Sequence, residues 1–399
     1  MDKTDFLIIG GGIVGVSIAR ELRRRFGDSR VMVLEKEARC GQHASGRNSG
    51  VLHAGFYYYP DSLKAKFTRD GNRRLTEYCE RKALRINKCG KLVVAKDASE
   101  LASLDELYRR GNINNVPLTM LTEDQAKAIE PRVKTYERAL FSPSTASVDP
   151  QEVTASIVED AAEEGVRIIT GSPYLGRAGV RIKTAHTEIS AGYVVNAAGL
   201  YADKVARDFG FSQNYRILPF KGLYLYSDEP PGSVKVHIYP VPDLRNPFLG
   251  VHYTLTVDGK IKIGPTAIPA FWREQYAGFS NFRWEELGEI AVRQAGLLAF
   301  SNFDFKTLAV NEIRKYSRAR MVKDAARLLE GADVSSYTRW GKPGIRAQLL
   351  DLTKRKLEMD FVVEGDDRSF HVLNAVSPAF TCALPFSDYV CDQIQARLK

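Results

Sequence analysis

The stretch DFLIIGGGIVGVSIARELRRRFGDSRVMVLE, residues Asp5–Glu35, decides the fold. Phe6–Ile9 is a short apolar run closed by glycines, the mark of a buried parallel strand. Gly10, Gly12 and Gly15 follow at G-x-G-x-x-G spacing. Such glycines serve, in turn, a tight turn, close approach of backbone to a pyrophosphate, and close helix–strand packing. Ile13, Val14 and Ile18 open a helical pattern that reaches about Arg25, so the helix N-terminus would aim free N–H groups at phosphates. Val31–Leu34 reads as the next buried strand. Glu35 ends it, where an acid accepts from ribose hydroxyls and repels a 2′-phosphate. Strand, glycines, helix, strand and acid in register predict an α/β, Rossmann-like domain that binds an adenine dinucleotide other than NADP.

Outward from that unit, 399 residues are enough for two domains. A hydrophobic content of 44% is that of a soluble globular chain. No apolar run is long enough to span a bilayer, and with a strand expected within a few residues of Met1 no leader is expected in this sequence. The net charge of +9 favours anionic partners. Its lysines and arginines are dispersed apart from groups such as Arg23–Arg25 and Lys354–Lys356, which argues against a nucleic-acid stripe. Cys40, Cys79, Cys89, Cys382 and Cys391 are odd in number and form no C-x-x-C pair. That pattern fits a reducing compartment and argues against a disulfide framework or a metal site.

The segment Cys40–Gly55, CGQHASGRNSGVLHAG, is too rich in small and polar residues for a regular element. Its amides can approach a ligand, Arg47 can meet a phosphate, and His43 and His53 bring imidazoles, the side chain suited to proton transfer near neutral pH. A helix is expected from about Ser62, with Leu63, Phe67, Leu75 and Tyr78 on one face. Gly90–Ala95 reads as a strand and 99–111 as an amphipathic helix. Thr122-Glu123-Asp124-Gln125 reads as a capping box. Ala139–Asp149 looks extended, a helix follows Asp149-Pro150 to about Glu164, and Val166–Thr170 is a strand. Arg181–Lys183 with Thr187–Ser190 suggests a hairpin. Tyr193–Asn196 reads as a separate buried strand, followed by a helix over Leu200–Phe209. Short β-like runs then crowd Leu218–Tyr226, Val234–Pro240, Phe248–Leu255 and Lys260–Gly264. Helices are expected near 284–299 and 310–329, and a last one near the C-terminus. The order predicts interleaved domains. Segments 1–89, 150–215 and 340–399 would form the dinucleotide domain; 90–149 and 216–339 would form a smaller, mostly β substrate domain.

The stretches IIGGGIVGVSIAREL, LEKE, HASGRNSGVLHAGFYY, SLKAKF, CGKLVVA, NAAGLYAD, IYPVPD, PFLGVHYT, GIRAQ and HVLNAVSPAF, from Ile8 to Phe380, carry a family resemblance. The chain resembles FAD-dependent oxidoreductases of the D-amino-acid-oxidase and glycine-oxidase type, and within them the L-2-hydroxyglutarate oxidase/dehydrogenase branch. The resemblance implies bound FAD and a 2-hydroxy diacid oxidised to 2-oxoglutarate by hydride transfer from C2 to flavin N5. Beyond Gly10, Gly12, Gly15 and Glu35, it assigns cofactor contacts to Lys36, Ser45, Arg47, Asn48, Ser49 and Gly50. It adds Ala198, Gly199, Ser377, Ala379, Phe380 and Thr381.

Such chemistry needs a base for the hydroxyl proton and cations for the carboxylates. His53 is the first base candidate and His252 the second. Arg346 and Lys221 are the carboxylate candidates, with hydroxyls from Tyr58 and Tyr239. The branch commonly has arginine where this chain has Lys221. Near the C-terminus, Asn374, Ser377, Pro378, Ala379 and Thr381 replace a glycine-rich turn common in related flavoproteins. No family attachment cysteine is evident, which favours non-covalent FAD, although Cys382 lies near that end. The electron acceptor expected is oxygen, a quinone or an electron-transfer flavoprotein. The expected location is cytoplasmic, peripheral to the inner face of the membrane. Oxidation of another small acid, an amino acid or glycerol 3-phosphate is the alternative activity, and a flavin-carrying electron-transfer subunit the non-enzymatic one.

Overall fold

The computed structural model describes residues 2–244, 250–301 and 304–398. Its centre is a parallel array in which the strand Asp2–Ile9 lies between Glu188–Asn196 and Val31–Leu34. Arg167–Ile169 extends the array beyond Val31–Leu34, and Ser369–Asn374 joins the far side of Glu188–Asn196. The hairpin of Arg181–Thr184 against Glu188–Asn196 is present, with Arg181 opposite Ser190. The two runs expected at Thr187–Ser190 and Tyr193–Asn196 are one continuous strand. Gly192 lets it pass close to its neighbour, since a Cβ there would come within 2.9 Å of the Asp5 carbonyl oxygen.

Helices Ile13–Arg25, Leu63–Arg81, Pro150–Glu163 and Ala379–Leu398 supply much of the main core with this array. Ile13, Val16, Ile18 and Leu22 of the first of them are fully or almost fully buried, and the helix is covered on more than one side. Each such side chain contributes roughly 1.5–3 kcal/mol by leaving water. The helix starts are specified locally. Asp149 accepts from the N–H groups of Gln151 and Glu152, with Pro150 in the first turn. Thr122 and Gln125 form the reciprocal capping box expected of them. Leu63–Arg81 is capped by Ser62 and also by a distant residue. Asp360 accepts from Leu63 N at 2.8 Å and Lys64 N at 3.0 Å.

The second large sheet is built from short strands. Lys91–Val94 lies parallel to His237–Pro240 and antiparallel to Arg138–Ser142. His252–Leu255 and Ile261–Gly264 continue the sheet beyond His237–Pro240. Of the expected strand Phe248–Leu255, Phe248 and Leu249 lie outside the described residues. A four-stranded sheet pairs Tyr215–Gly222 with Gly344–Asp351 along its whole length, so strands from segments 216–339 and 340–399 share it. The extended stretch Ala139–Asp149 is two strands, Arg138–Ser142 and Ala146–Val148, separated by a turn. Leu200–Phe209 begins with a 3₁₀ turn, Gly199–Tyr201, before the helix Ala202–Asp208. The expected 310–329 helix is broken into Phe305–Ile313, a 3₁₀ turn and Arg318–Ala325. Ser317 caps the last piece, and a serine there favours a fresh helix start over continuation. Among the described residues, no helix is long and apolar enough to cross a membrane.

Candidate active site

A cavity of about 1280 Å³ runs from the Gly10–Gly15 turn, past the β-rich sheet, to the start of Ala379–Leu398. At one end, Gly10 has φ +116°, and a Cβ there would sit 2.4 Å from the Ala197 carbonyl oxygen. A Cβ on Gly15 would sit 2.1 Å from the Gly10 carbonyl oxygen. These two glycines hold strand and helix together. Gly12 differs, because a Cβ there would meet only Ser45 Oγ, at 3.0 Å, and the residue lines the cavity. Ser45 Oγ accepts from Ile13 N at 2.9 Å, in the first turn of Ile13–Arg25. Glu35, almost wholly buried, accepts from Gly11 N at 2.8 Å and Glu37 N at 2.9 Å. Its carboxylate is thereby fixed at the strand end where ribose hydroxyls would lie.

Around this end, Lys36 ion-pairs with Glu37 and Glu274 at 2.5 and 2.7 Å. His43 bridges Tyr276 Oη and Glu37. Glu37, His43 and Glu274 come close enough together to hold a metal ion, but the Lys36 ammonium already balances the two carboxylates. Arg47 lies 4.3 Å over the Tyr276 ring and donates to the carbonyls of Gln42 and Pro343. The Asn48 side chain ties its own loop by donating to the Ala44 and Ser45 carbonyls.

At the other end, Ser377, Ala379, Phe380 and Thr381 line the cavity. Thr381 Oγ1 accepts from His53 N at 3.2 Å and bonds the Val51 carbonyl, so the loop carrying His53 is pinned to the terminal helix. His53 is buried, and its Nδ1 has no hydrogen-bond partner. Burial holds its proton affinity well below the ordinary imidazole value, and the charges of Lys91 and His237 lower it further. His252 is held likewise, by burial first and then by Lys91. Its Nδ1 lies 2.9 Å from the Gly250 carbonyl oxygen, which only accepts. The neutral ring therefore carries its proton on Nδ1 and leaves Nε2 as acceptor.

Of the sequence candidates, Gly10, Gly12, Gly15, Glu35, Lys36, Ser45, Arg47, Asn48, Ser49, His53, Tyr58, Ala198 and Gly199 line this one cavity. So do Tyr239, His252, Arg346, Ser377, Ala379, Phe380 and Thr381. Two candidates are not brought in. Gly50 lies outside the lining; at φ +77° its missing Cβ spares a 2.3 Å approach to the Val148 carbonyl oxygen. Lys221 is also outside the lining, opposite Ile345 in the four-stranded sheet. Arg346 lines it, with Nη1 donating to the Thr266 carbonyl at 2.9 Å.

Two further groups that local sequence does not single out face the same cavity. Tyr57 lines the cavity with a buried, partnerless hydroxyl. Lys64 also lines it, with its ammonium pulled down to about 8 by burial. Lys64 stands in a helical pattern where a lysine reads as solvent-facing, and nothing local distinguishes it. None of the five cysteines, all free, lines the cavity. Cys382 is buried, with burial pushing its thiol up to about 12, which suits packing rather than covalent attachment.

The family model described as FAD dependent oxidoreductase matches residues 5–393. The chain belongs to the FAD dependent oxidoreductase family. It is 38% identical to the mitochondrial L-2-hydroxyglutarate dehydrogenase of Bos taurus, over 99% of this chain and 89% of that protein. It is 34% identical to the L-2-hydroxyglutarate dehydrogenase of Escherichia coli K12, over 99% and 94%. Among solved structures, the dithionite-reduced, FAD-bound L-alpha-glycerophosphate oxidase of Mycoplasma pneumoniae superposes with a TM-score of 0.78 at 21% identity, covering 99% of this chain and 95% of that one. Glycine oxidase of Geobacillus kaustophilus superposes with a TM-score of 0.71 at 18% identity, covering 100% and 96%. The residues present fit FAD. The cavity has a glycine cradle open at Gly12, an anchored acid at Glu35 and length enough to reach Thr381.

Proposed function

We propose that this protein oxidises L-2-hydroxyglutarate to 2-oxoglutarate with His53 as general base. The observation that carries this reading is that His53, His252 and Arg346 line the same cavity as the dinucleotide cradle. The near full-length likeness to L-2-hydroxyglutarate dehydrogenases supports the choice of acid. Gly10, Gly12, Gly15 and Glu35 would hold the FAD pyrophosphate and ribose, and Ser377–Thr381 its ring end. When bound, FAD supplies the acceptor for the hydride that leaves C2. His53 takes the hydroxyl proton, so the C–O bond gains double-bond character as the C–H bond breaks. His252, with its tautomer fixed by Gly250, presents Nε2 only as an acceptor, so it is the second candidate for the base and not a second partner of the same hydroxyl proton. Arg346 holds a carboxylate in charge-assisted bonds, and Tyr57, Tyr58 and Tyr239 donate hydroxyls. Anaerobic bleaching of the flavin by the acid tests the reading, and loss of that bleaching in His53→Ala tests the base.

The electrons then pass to oxygen, a quinone or an electron-transfer flavoprotein, and reoxidation rates with each separate the three. Peripheral contact with an anionic membrane surface is part of the same proposal. Phe279 and Trp284 are 83% and 78% exposed, with Trp272 and Phe282 stacked or edge-on in the same aromatic cluster. An apolar patch of this kind on a chain of charge +9 suits insertion at an anionic interface. Flotation with anionic vesicles should carry the protein, and Phe279→Ser with Trp284→Ser should release it. Equal flotation of that variant would count against this contact.

A further inference from the structure

Lys91 is completely buried in the strand Lys91–Val94, and its Nζ has no hydrogen-bond partner. Three rings enclose it instead: Tyr239 at 4.3 Å, Tyr57 at 5.1 Å and Phe56 at 5.4 Å. Ring faces attract a cation but recover only part of the hydration it has lost. Two of these rings, Tyr57 and Tyr239, also line the cavity, whereas Lys91 does not. Tyr239 stacks on His252 at 3.6 Å, and Tyr57 follows His53 by four residues. The Tyr239 ring therefore touches both the buried amine and the His252 imidazole, and Tyr57 joins the cage to the loop that carries His53.

Resting on the reading of His53 as base, we propose that Lys91 is a positioning residue whose caged charge keeps His53 and His252 neutral until an anionic substrate arrives. In a low-dielectric interior, a cation one ring away disfavours a second positive charge. A dianion entering the cavity reverses that balance. It offsets Lys91 and raises the proton affinity of the imidazoles when the hydroxyl proton must be taken. The groups facing Lys91 come from several elements. They are Cys89 on its own segment, His237 beside it in parallel register, His53 and Tyr57 from the loop, and Tyr239 and His252 from the β-rich sheet. Lys91 is the largest charge acting on both imidazoles, after burial itself. Its own ammonium is pulled down to about 7 by burial, so an incoming anion also favours its protonated form.

The test uses holoenzyme with ¹³C-labelled histidine. Imidazole titrations of His53 and His252 are followed by NMR without substrate, beside the pH profile of kcat/KM. In Lys91→Met, or in Lys91→Gln should the first not fold, both midpoints should rise by about one pH unit. The acidic limb of the profile should move with them. Lys91→Arg keeps the charge and should hold the midpoints near those of the parent, even if altered packing lowers kcat. Unchanged midpoints in the neutral variants, or the same shift in Lys91→Arg, would overturn the proposal. Failure of the substrate reading shows separately, as an unbleached flavin with these titrations intact.

Discussion

Tyr239 and His252 stack with ring centroids 3.6 Å apart and planes inclined by 21°. Their strands pair antiparallel through Ile238 and Tyr253, which sets the two rings opposite each other. The stack fixes the imidazole plane while Gly250 fixes its tautomer. Tyr239 Oη is buried without a partner, and in the proposed reading it donates to a substrate oxygen. Tyr239→Phe keeps the stack and removes the donor. KM should rise about tenfold or more, since a hydrogen bond to a charged group is worth roughly 1.5–3 kcal/mol. Steady-state kinetics check this, with kcat changing less than KM.

His53→Ala should lower the rate of flavin reduction by about 10²–10⁴-fold while FAD stays bound, the range expected of a general base. In the parent enzyme, the base form is lost as pH falls through its midpoint. Burial puts that midpoint well below 6.5, so the acidic limb of the free enzyme should lie below the ordinary imidazole range. Rapid-reaction measurements across pH check both points.

The two cationic candidates separate cleanly. Arg346 lines the cavity and Lys221 does not. Arg346→Met should raise KM by about tenfold or more, because a charge-assisted contact is removed. Lys221→Met should leave KM within a factor of about three, since no contact with a bound acid is lost. Equal losses in the two would return Lys221 to the site.

Gly12 and Gly15 should also behave differently. Gly15→Ala places a Cβ 2.1 Å from the Gly10 carbonyl and should cost about 1–3 kcal/mol of stability by overpacking. Gly12→Leu projects into the cavity and should give folded but colourless protein. Thermal melts beside flavin absorbance distinguish them.

The dinucleotide unit is legible because its signals are local: apolar runs, glycine spacing and an acid at the right distance. The capping box at Thr122 and the helix start at Pro150 are legible for the same reason. Residues whose surroundings are set by distant chain are not. Lys64 is drawn into the interior where Asp360, nearly three hundred residues away, caps its helix. Lys91 reads as the polar residue of an ordinary strand, until strand pairing sets it beside His237 and under Tyr239. Lys221 and Arg346 both look like carboxylate binders, and only the packed sheet separates them. The resemblance carried His53 and His252 further than periodicity could, since their convergence needs the loop, the β-rich sheet and the terminal helix together.

The most direct measurement is the visible spectrum of the purified protein mixed with L-2-hydroxyglutarate without oxygen. The expected result is a yellow protein whose flavin bands bleach with L-2-hydroxyglutarate and persist with glycerol 3-phosphate, glycine or L-proline. A flavin that stays oxidised with L-2-hydroxyglutarate, while one of the other compounds bleaches it, would contradict the assignment.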